Sequence, residues 1–291
     1  MLRKGDLTQG GIITTLLQFT LPMLAGSLLQ QCYNIADTLI VGQCIGANAL
    51  AAVGSAYTLM VFLISILLGL SMGSGTVFSL QYGAGDLSAL RRSIYVSLLL
   101  IGTVTILLNV AVFLWLDPIL RWLQVPYDIY SLMRNYLWII FWGIVFTFLY
   151  NFYAALLRAV GDSVTPLWFL AVSVVLNIGL DLFLILVLDQ GIEGAAVATV
   201  IAQGTAASGI LLYTYKTRPE LRLHREDMCF DRSSLREITS FSTLTCVQQS
   251  VMNFGILMVQ GLVNSFGTVV MAAFAAAVKI DSFAYMPVQE F

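Results

Sequence analysis

Asn177 and Asp181 stand one helical turn apart in NIGLDLFLI (177–185), inside an otherwise apolar run from about Pro166 to Leu188. A carboxylate near the middle of a bilayer costs roughly 2.5–3.5 kcal/mol even on the lenient insertion scale. Such a residue needs a partner that offsets the cost. Two more oxygen-bearing side chains lie in similar apolar runs, Asp37 near the start of the chain and Thr199 just after Asp181. Carboxylate, amide and hydroxyl oxygens are the ligands of a hard cation such as sodium. Two acids brought close together also repel one another, so protons compete for the same place. The chemistry is therefore binding of sodium or of a proton, and the residue types alone leave the choice open.

The elements that position these groups follow from composition. Of 291 residues, 59% are hydrophobic and only 10% are charged, which a soluble domain of this size could not sustain. The fold class is an all-α polytopic membrane protein. Apolar segments of about 20 residues place spans near 12–40, 49–80, 93–116, 130–157, 166–188, 194–215, 238–264 and 268–291. The first is long enough to tilt, and Pro22 offers it a place to bend. MLRK at the start has no small-residue cleavage site after it, so it reads as the approach to a first span. Eleven of the 14 Lys and Arg fall on one side if the spans alternate, which makes that side, and the amino terminus, cytoplasmic. Arg121 and Arg134 are the two that fall in loops on the other side.

Depth and face then agree. Asp181 lies about seven residues from the outer end of the fifth span, or roughly 10 Å at 1.5 Å per residue. Asp37 and Thr199 fall at a similar level on the first and sixth spans. Ser173, Asn177 and Asp181 repeat every four residues, as Gln30, Tyr33 and Asp37 nearly do, and Gln203 follows Thr199 by one turn. Three polar stripes on three helices imply a shared wet cavity. The plainer alternative is a structural cluster that holds helices together, since Asn, Gln and Thr often do so. Two acids with no Lys or Arg at their depth argue against it, because structural acids want a cationic partner.

The polar stretch 216–237 divides the chain into residues 1–215, with six spans, and 238–291, with two. GANALAAVGSA (46–56) and GTVVMAAFAAA (267–277) share small residues in register, and each follows a helix with a Gln pair, Gln30-Gln31 and Gln248-Gln249. This favours a repeated six-helix unit whose second copy is incomplete here. Cys32, Cys44, Cys229 and Cys246 show no metal spacing and read as free thiols.

YNIADTLIVGQCIGANALAAVG (33–54), SMGSGTVFSLQYGAGD (71–86), LLRAVGDSVTP (156–166), NIGLDLF (177–183) and GIEGAAVAT (191–199) together resemble the multidrug and toxic compound extrusion (MATE) family. The likeness is to the prokaryotic branch with its cation site in the amino-terminal lobe. It implies a six-helix N-lobe plus the first two helices of a C-lobe, the chain stopping after about eight of twelve. It implies a sodium- or proton-coupled antiporter of organic, often cationic amphipathic compounds, in a cytoplasmic membrane, working as a monomer and with no cofactor beyond the coupling ion. No nucleic-acid partner is implied; small organic substrates and membrane lipid are. The family's cation ligands match Asp37, Asn177, Asp181 and Thr199, with Asn151 as a further member. Its first-helix tyrosine and bend match Tyr33 and Pro22. Gln248 and Gln249 stand where some relatives carry an acid, which argues against a cation site in the second half.

Two other readings compete with this one. A lipid-linked sugar flippase of the same superfamily would share the two-lobed architecture, but the four-residue cation set fits coupled export better. An intramembrane aspartyl protease would use GAGD (83–86) and Tyr127-Asp128, yet the topology sets Asp86 and Asp128 on opposite sides, roughly 30 Å apart across the hydrocarbon. His224, the one histidine, lies in the polar linker, where a solvated residue is expected rather than a catalyst. No enzyme activity is expected.

Overall fold

A computed structural model describes residues 12–228 and 230–289. Arg3 and Lys4, Cys229, and the far end after Gln289 lie outside the described residues, as does the side chain of Lys279. Among the described residues the chain is helical throughout, in the order α1 (Ile12–Cys44), α2 (Ala47–Gly83), α3 (Leu87–Trp122), α4 (Tyr127–Trp142), α5 (Ile144–Ala159), α6 (Val164–Leu182), α7 (Gly191–Thr217), α8 (Arg232–Asn264) and α9 (Thr268–Gln289). Five of these are each long and apolar enough to cross a membrane, and the bent pair α4–α5 makes a sixth. The remaining two expected spans fall in α1 and α9.

The element ends follow local chemistry. Gly46, at φ 115°, turns the chain from α1 into α2, a backbone conformation that favours glycine. Asp86 caps α3 by accepting from the Ala89 amide at 2.9 Å. Asp231 caps α8 through the Ser233 and Ser234 amides at 3.0 and 3.2 Å. The α2–α3 turn and the α8 start share one face of the bundle with residues 218–231, called here the linker face. The α3–α4 and α6–α7 turns lie on the far face.

Three local features depart from straight spans. The expected continuous span 130–157 is instead two helices meeting at Gly143 with a 47° bend. Glycine permits the break, and Asn109 of α3 donates to the Phe141 carbonyl at 2.6 Å, so a backbone group there keeps a partner inside the membrane. Second, α3 is kinked at Trp115, whose φ of −114° and ψ of 16° are non-helical. Pro118 explains this, because a proline ring crowds the preceding turn and donates no hydrogen bond. Third, Phe183–Val187 widens into a π-turn directly after α6. The bend expected at Pro22 is not a break: α1 runs as one helix through it.

The core centres on α2, which packs against α3, α4, α5, α8 and α9. Its fully buried Leu67 and Phe78 join Leu90, Ile94, Ile101, Phe141 and Phe152 in one apolar cluster. A Cβ on Gly69 would overlap the Cys246 backbone and one on Gly73 that of Ser242, so these glycines set how closely α2 and α8 approach. Behind this pair, α1, α6 and α7 pack on one another and α5 packs on α7.

The linker is shorter than expected, because α7 continues to Thr217 and α8 begins at Arg232. Its first part is fastened to the preceding helices. Arg218 Nη2 meets Asp162 Oδ2 at 3.3 Å, Arg91 Nε meets Asp227 Oδ2 at 2.9 Å, and Leu221 is buried. Burial works to raise the Asp227 carboxyl, but the His224 amide and the Arg91 guanidinium outweigh it and hold the group below its usual value.

Candidate cation site

The stripes read from the sequence meet where α1, α6 and α7 pack together. Asp181 is fully buried (0% exposed) and Asn177 nearly so (1%). Ser173, one turn before Asn177, donates to the Ala202 carbonyl at 2.9 Å and fixes the rotation of α6 on α7. In the amide orientation that satisfies its neighbours, Asn177 donates to Asp181 Oδ2 at 2.9 Å and accepts from the Thr199 amide at 3.2 Å. Tyr33 of α1 reaches across to Thr199, with its Oη 3.4 Å from Thr199 Oγ1. Asp37, one turn on from Tyr33, lies within electrostatic reach of Asp181.

Asp181 Oδ1 is buried and has no hydrogen-bond donor, and no Lys or Arg among the described residues pairs with the carboxylate. Buried polar atoms are nearly always partnered, and an ionised carboxylate offers about four acceptor positions. The π-turn that begins two residues after Asp181 is a further irregularity of the kind found at functional sites. A hard cation fits here: a carboxylate oxygen without a donor, a second acid nearby, and amide and hydroxyl oxygens beside them. Among the described residues no group of three or more His, Cys, Asp or Glu is placed to hold a metal ion; this set has two acids, with amide and hydroxyl oxygens beside them.

The structure brings together Tyr33, Asp37, Asn177, Asp181 and Thr199. It does not bring Asn151 to them. Asn151 donates to the Thr147 carbonyl of its own helix at 2.8 Å, and the Thr147 hydroxyl donates to Gln203 at 2.7 Å. Gln203 is one turn and Asn151 two turns nearer the linker face than Thr199, which separates Asn151 from the acids by roughly 12 Å along the bundle. Asn151 and Gln203 thus belong to the α5–α7 contact beside the Gly143 bend. Gln30 makes no hydrogen bond to the set, and Pro22 lies eleven residues before Tyr33, roughly 16 Å along α1.

Sequence reasoning misses Tyr136 of α4. It is buried and lies within electrostatic reach of Asp37, Tyr33 and Asp181. The same depth count that places Asp181 would find it, since it stands six residues into the span expected from residue 130. The protease pairing fails as expected. Asp86 caps one end of α3 and Asp128 lies in the first turn of α4, with the 36 residues of α3 between them, roughly 50 Å of helix.

Comparison with known proteins bears on the whole arrangement. The MatE family model matches residues 22–183. The probable multidrug resistance protein YpnP of Bacillus subtilis (strain 168) is 34% identical over 282 residues, 97% of this chain and 63% of that protein. The multidrug export protein MepA of Staphylococcus aureus (strain NCTC 8325 / PS 47) is 27% identical, over 94% of this chain and 60% of its own length. Among solved structures, the MATE multidrug transporter DinF-BH superimposes with a TM-score of 0.87 at 25% identity, over 94% of this chain and 61% of that one. The chain spans about 60% of the length of the relatives it matches.

Proposed function

The chain belongs to the MatE family, and on that premise we propose that it forms the N-lobe and the first part of the C-lobe of a cation-coupled antiporter. A complete transporter of this kind would expel organic, often cationic and amphipathic, compounds while sodium or protons move inward. It would work as a monomer in a bacterial or archaeal cytoplasmic membrane, with its amino terminus inside. The relatives carry names of multidrug resistance and export, which supports the substrate class. The observation that carries the cation reading is the buried Asp181 Oδ1 without a donor, one turn from Asn177, which itself meets Thr199.

The mechanism is alternating access between two lobes. Here α1 is the element that could couple site to motion, because it carries Tyr33 and Asp37 yet packs on both α6 and α9. A cation held between Asp37 and Asp181 draws α1 toward α6, and Pro22 is the place where α1 would yield. If this disfavours the drug-bound arrangement, reciprocity requires drug to weaken the cation by the same factor. The test is isothermal calorimetry of sodium binding to a complete version without drug, at two pH values. Sodium should bind, and more weakly at the lower pH because protons compete for the acid pair. Transport driven by a proton gradient with no sodium binding at either pH would give the role to protons. Sodium binding that survives Asp181→Asn would remove the site from this place.

A further inference from the structure

The far face carries a cavity that the cation site does not use. It has a volume of about 310 Å³ and is lined by Arg134, Asn135, Trp138 and Ile139 of α4 and Glu193 of α7. Its charged walls are organised. Arg134 Nε meets Asp117 Oδ1 at 2.8 Å, and the same oxygen accepts from Tyr130 at 2.9 Å. Arg121 also lies within electrostatic reach of Asp117. Of the two basic residues that the sequence puts in far-face loops, Arg134 is thus the one that pairs with Asp117 and lines the cavity. Across the cavity, Glu193 accepts from Asn135 at 2.9 Å and forms no ion pair among the described residues. One wall is therefore a guanidinium with spare donors and the other a carboxylate with spare acceptors.

The floor is aromatic and faces outward. Trp138 and Trp142 follow Asn135 by three and seven residues, so all three share one face of α4. The Phe113 ring of α3 packs against Trp138 at 4.6 Å and Trp142 at 5.3 Å. Trp142, Val110 and Leu114 beside them are exposed, while α4 turns its other side to α2 and α7. Trp138, one turn below Arg134 and Asn135, stands where tryptophans gather near a membrane interface, and Trp142 one turn deeper extends the flank toward the acyl chains.

We propose that this cavity binds the head group of a zwitterionic aminophospholipid, phosphatidylethanolamine, with its phosphate on Arg134 and its ammonium on Glu193. The acyl chains then run down the Phe113–Trp138–Trp142 flank. The size agrees, since 310 Å³ is at the floor of the range for drug-sized ligands and suits a head group better than a bulky amphiphile. Arg134, though paired with Asp117, keeps guanidinium donors for the phosphate, and a head group without an ammonium leaves Glu193 unmatched.

Native mass spectrometry of the purified chain, released from vesicles containing equal parts of phosphatidylethanolamine, phosphatidylcholine and phosphatidylglycerol, measures which lipid stays bound. Phosphatidylethanolamine should be retained several-fold over phosphatidylglycerol, and over phosphatidylcholine, whose methylated ammonium has no proton to donate. Glu193→Gln should bring phosphatidylethanolamine down to the level of phosphatidylglycerol without changing the melting temperature, since Asn135 can still donate to the new amide oxygen. Trp138→Leu should lower retention of all three lipids. Equal retention of the three by the unaltered chain, or an unchanged preference in Glu193→Gln, would overturn the proposal. So would soluble phosphoethanolamine displacing the lipid at equal concentration, which would show recognition of a free solute instead.

Discussion

Two of the buried polar clusters in this bundle balance their hydrogen bonds in opposite ways. At the far-face end of the α2–α8 seam, Ser55, Thr58, Gln260 and Asn264 are all nearly inaccessible. Asn264 Nδ2 donates to Ser55 Oγ at 3.1 Å and to the Leu123 carbonyl at 2.8 Å, while its Oδ1 accepts from Gln260 at 2.8 Å. Gln260 Oε1 accepts from Thr58 at 3.1 Å. The amides of this cluster have partners on both their donor and acceptor sides, and it carries no charge. The α1–α6–α7 cluster holds two acids and leaves Asp181 Oδ1 without a donor. Buried polarity alone does not separate glue from binding site; a surplus of acceptors does.

The sharpest way to break that distinction is an isosteric exchange of amide and carboxylate in each place. Asp181→Asn should abolish sodium binding in calorimetry, because the cation loses one of two neutralising charges. It should leave the sodium-free protein at least as stable, since a buried charge without a cation is removed. Asn264→Asp should do the reverse. It sets a carboxylate oxygen against the Leu123 carbonyl and strips Ser55 of a donor, so it should destabilise by about 3–5 kcal/mol while sodium affinity stays as it was. A melting temperature lowered more by Asp181→Asn than by Asn264→Asp would show that Asp181 is structural after all.

Smaller truncations sharpen the same contrast. Asn264→Ala leaves Gln260 and the Leu123 carbonyl unsatisfied and should cost about 2–3 kcal/mol in denaturant unfolding. Thr199→Ala removes a hydroxyl that water can replace, so sodium should bind several-fold more weakly with little change in stability. If Thr199→Ala instead matched Asn264→Ala in stability and left binding intact, both clusters would be glue.

How much of this was legible beforehand depended on whether the signal is local. The spans and the stripe Ser173–Asn177–Asp181 could be read because helical period and hydrocarbon thickness act on neighbouring residues. Depth counting also brought Asp37 and Thr199 to the level of Asp181, where the helices do meet. It would have found Tyr136, had aromatic hydroxyls been counted with the acids. Asn151 entered through family likeness against the depth count, and its contacts follow the depth count. The Gly143 bend was not legible, because glycine is common inside membrane helices and only its pairing with Asn109 of another helix makes a stable break there. The seam was missed for a similar reason. Gln260 and Asn264 form an i, i+4 pair that could have been noticed, but Ser55 and Thr58 become their partners only when Gly69 and Gly73 let α2 and α8 close.

A third acid supplies the control for both clusters. Asp231 at the start of α8 accepts from the amides and hydroxyls of Ser233 and Ser234, with both hydroxyl bonds under 3 Å. Both of its oxygens have donors, and hydrogen bonding, led by the Ser234 hydroxyl, lowers its pKa to about 2. A depressed acid stabilises the fold fully above its unfolded value, near 4, and that contribution is lost as pH falls through the folded value near 2. Asp231→Ala should therefore cost about 1 kcal/mol at neutral pH, the ordinary worth of a helix cap. The difference from wild type should shrink in unfolding curves taken between pH 4 and pH 2, and sodium binding should not change. Because both oxygens of this acid already have donors, a sodium effect from Asp231→Ala would mean that any acid in the chain perturbs the cation. The surplus of acceptors at Asp181 would then no longer be the property that selects it.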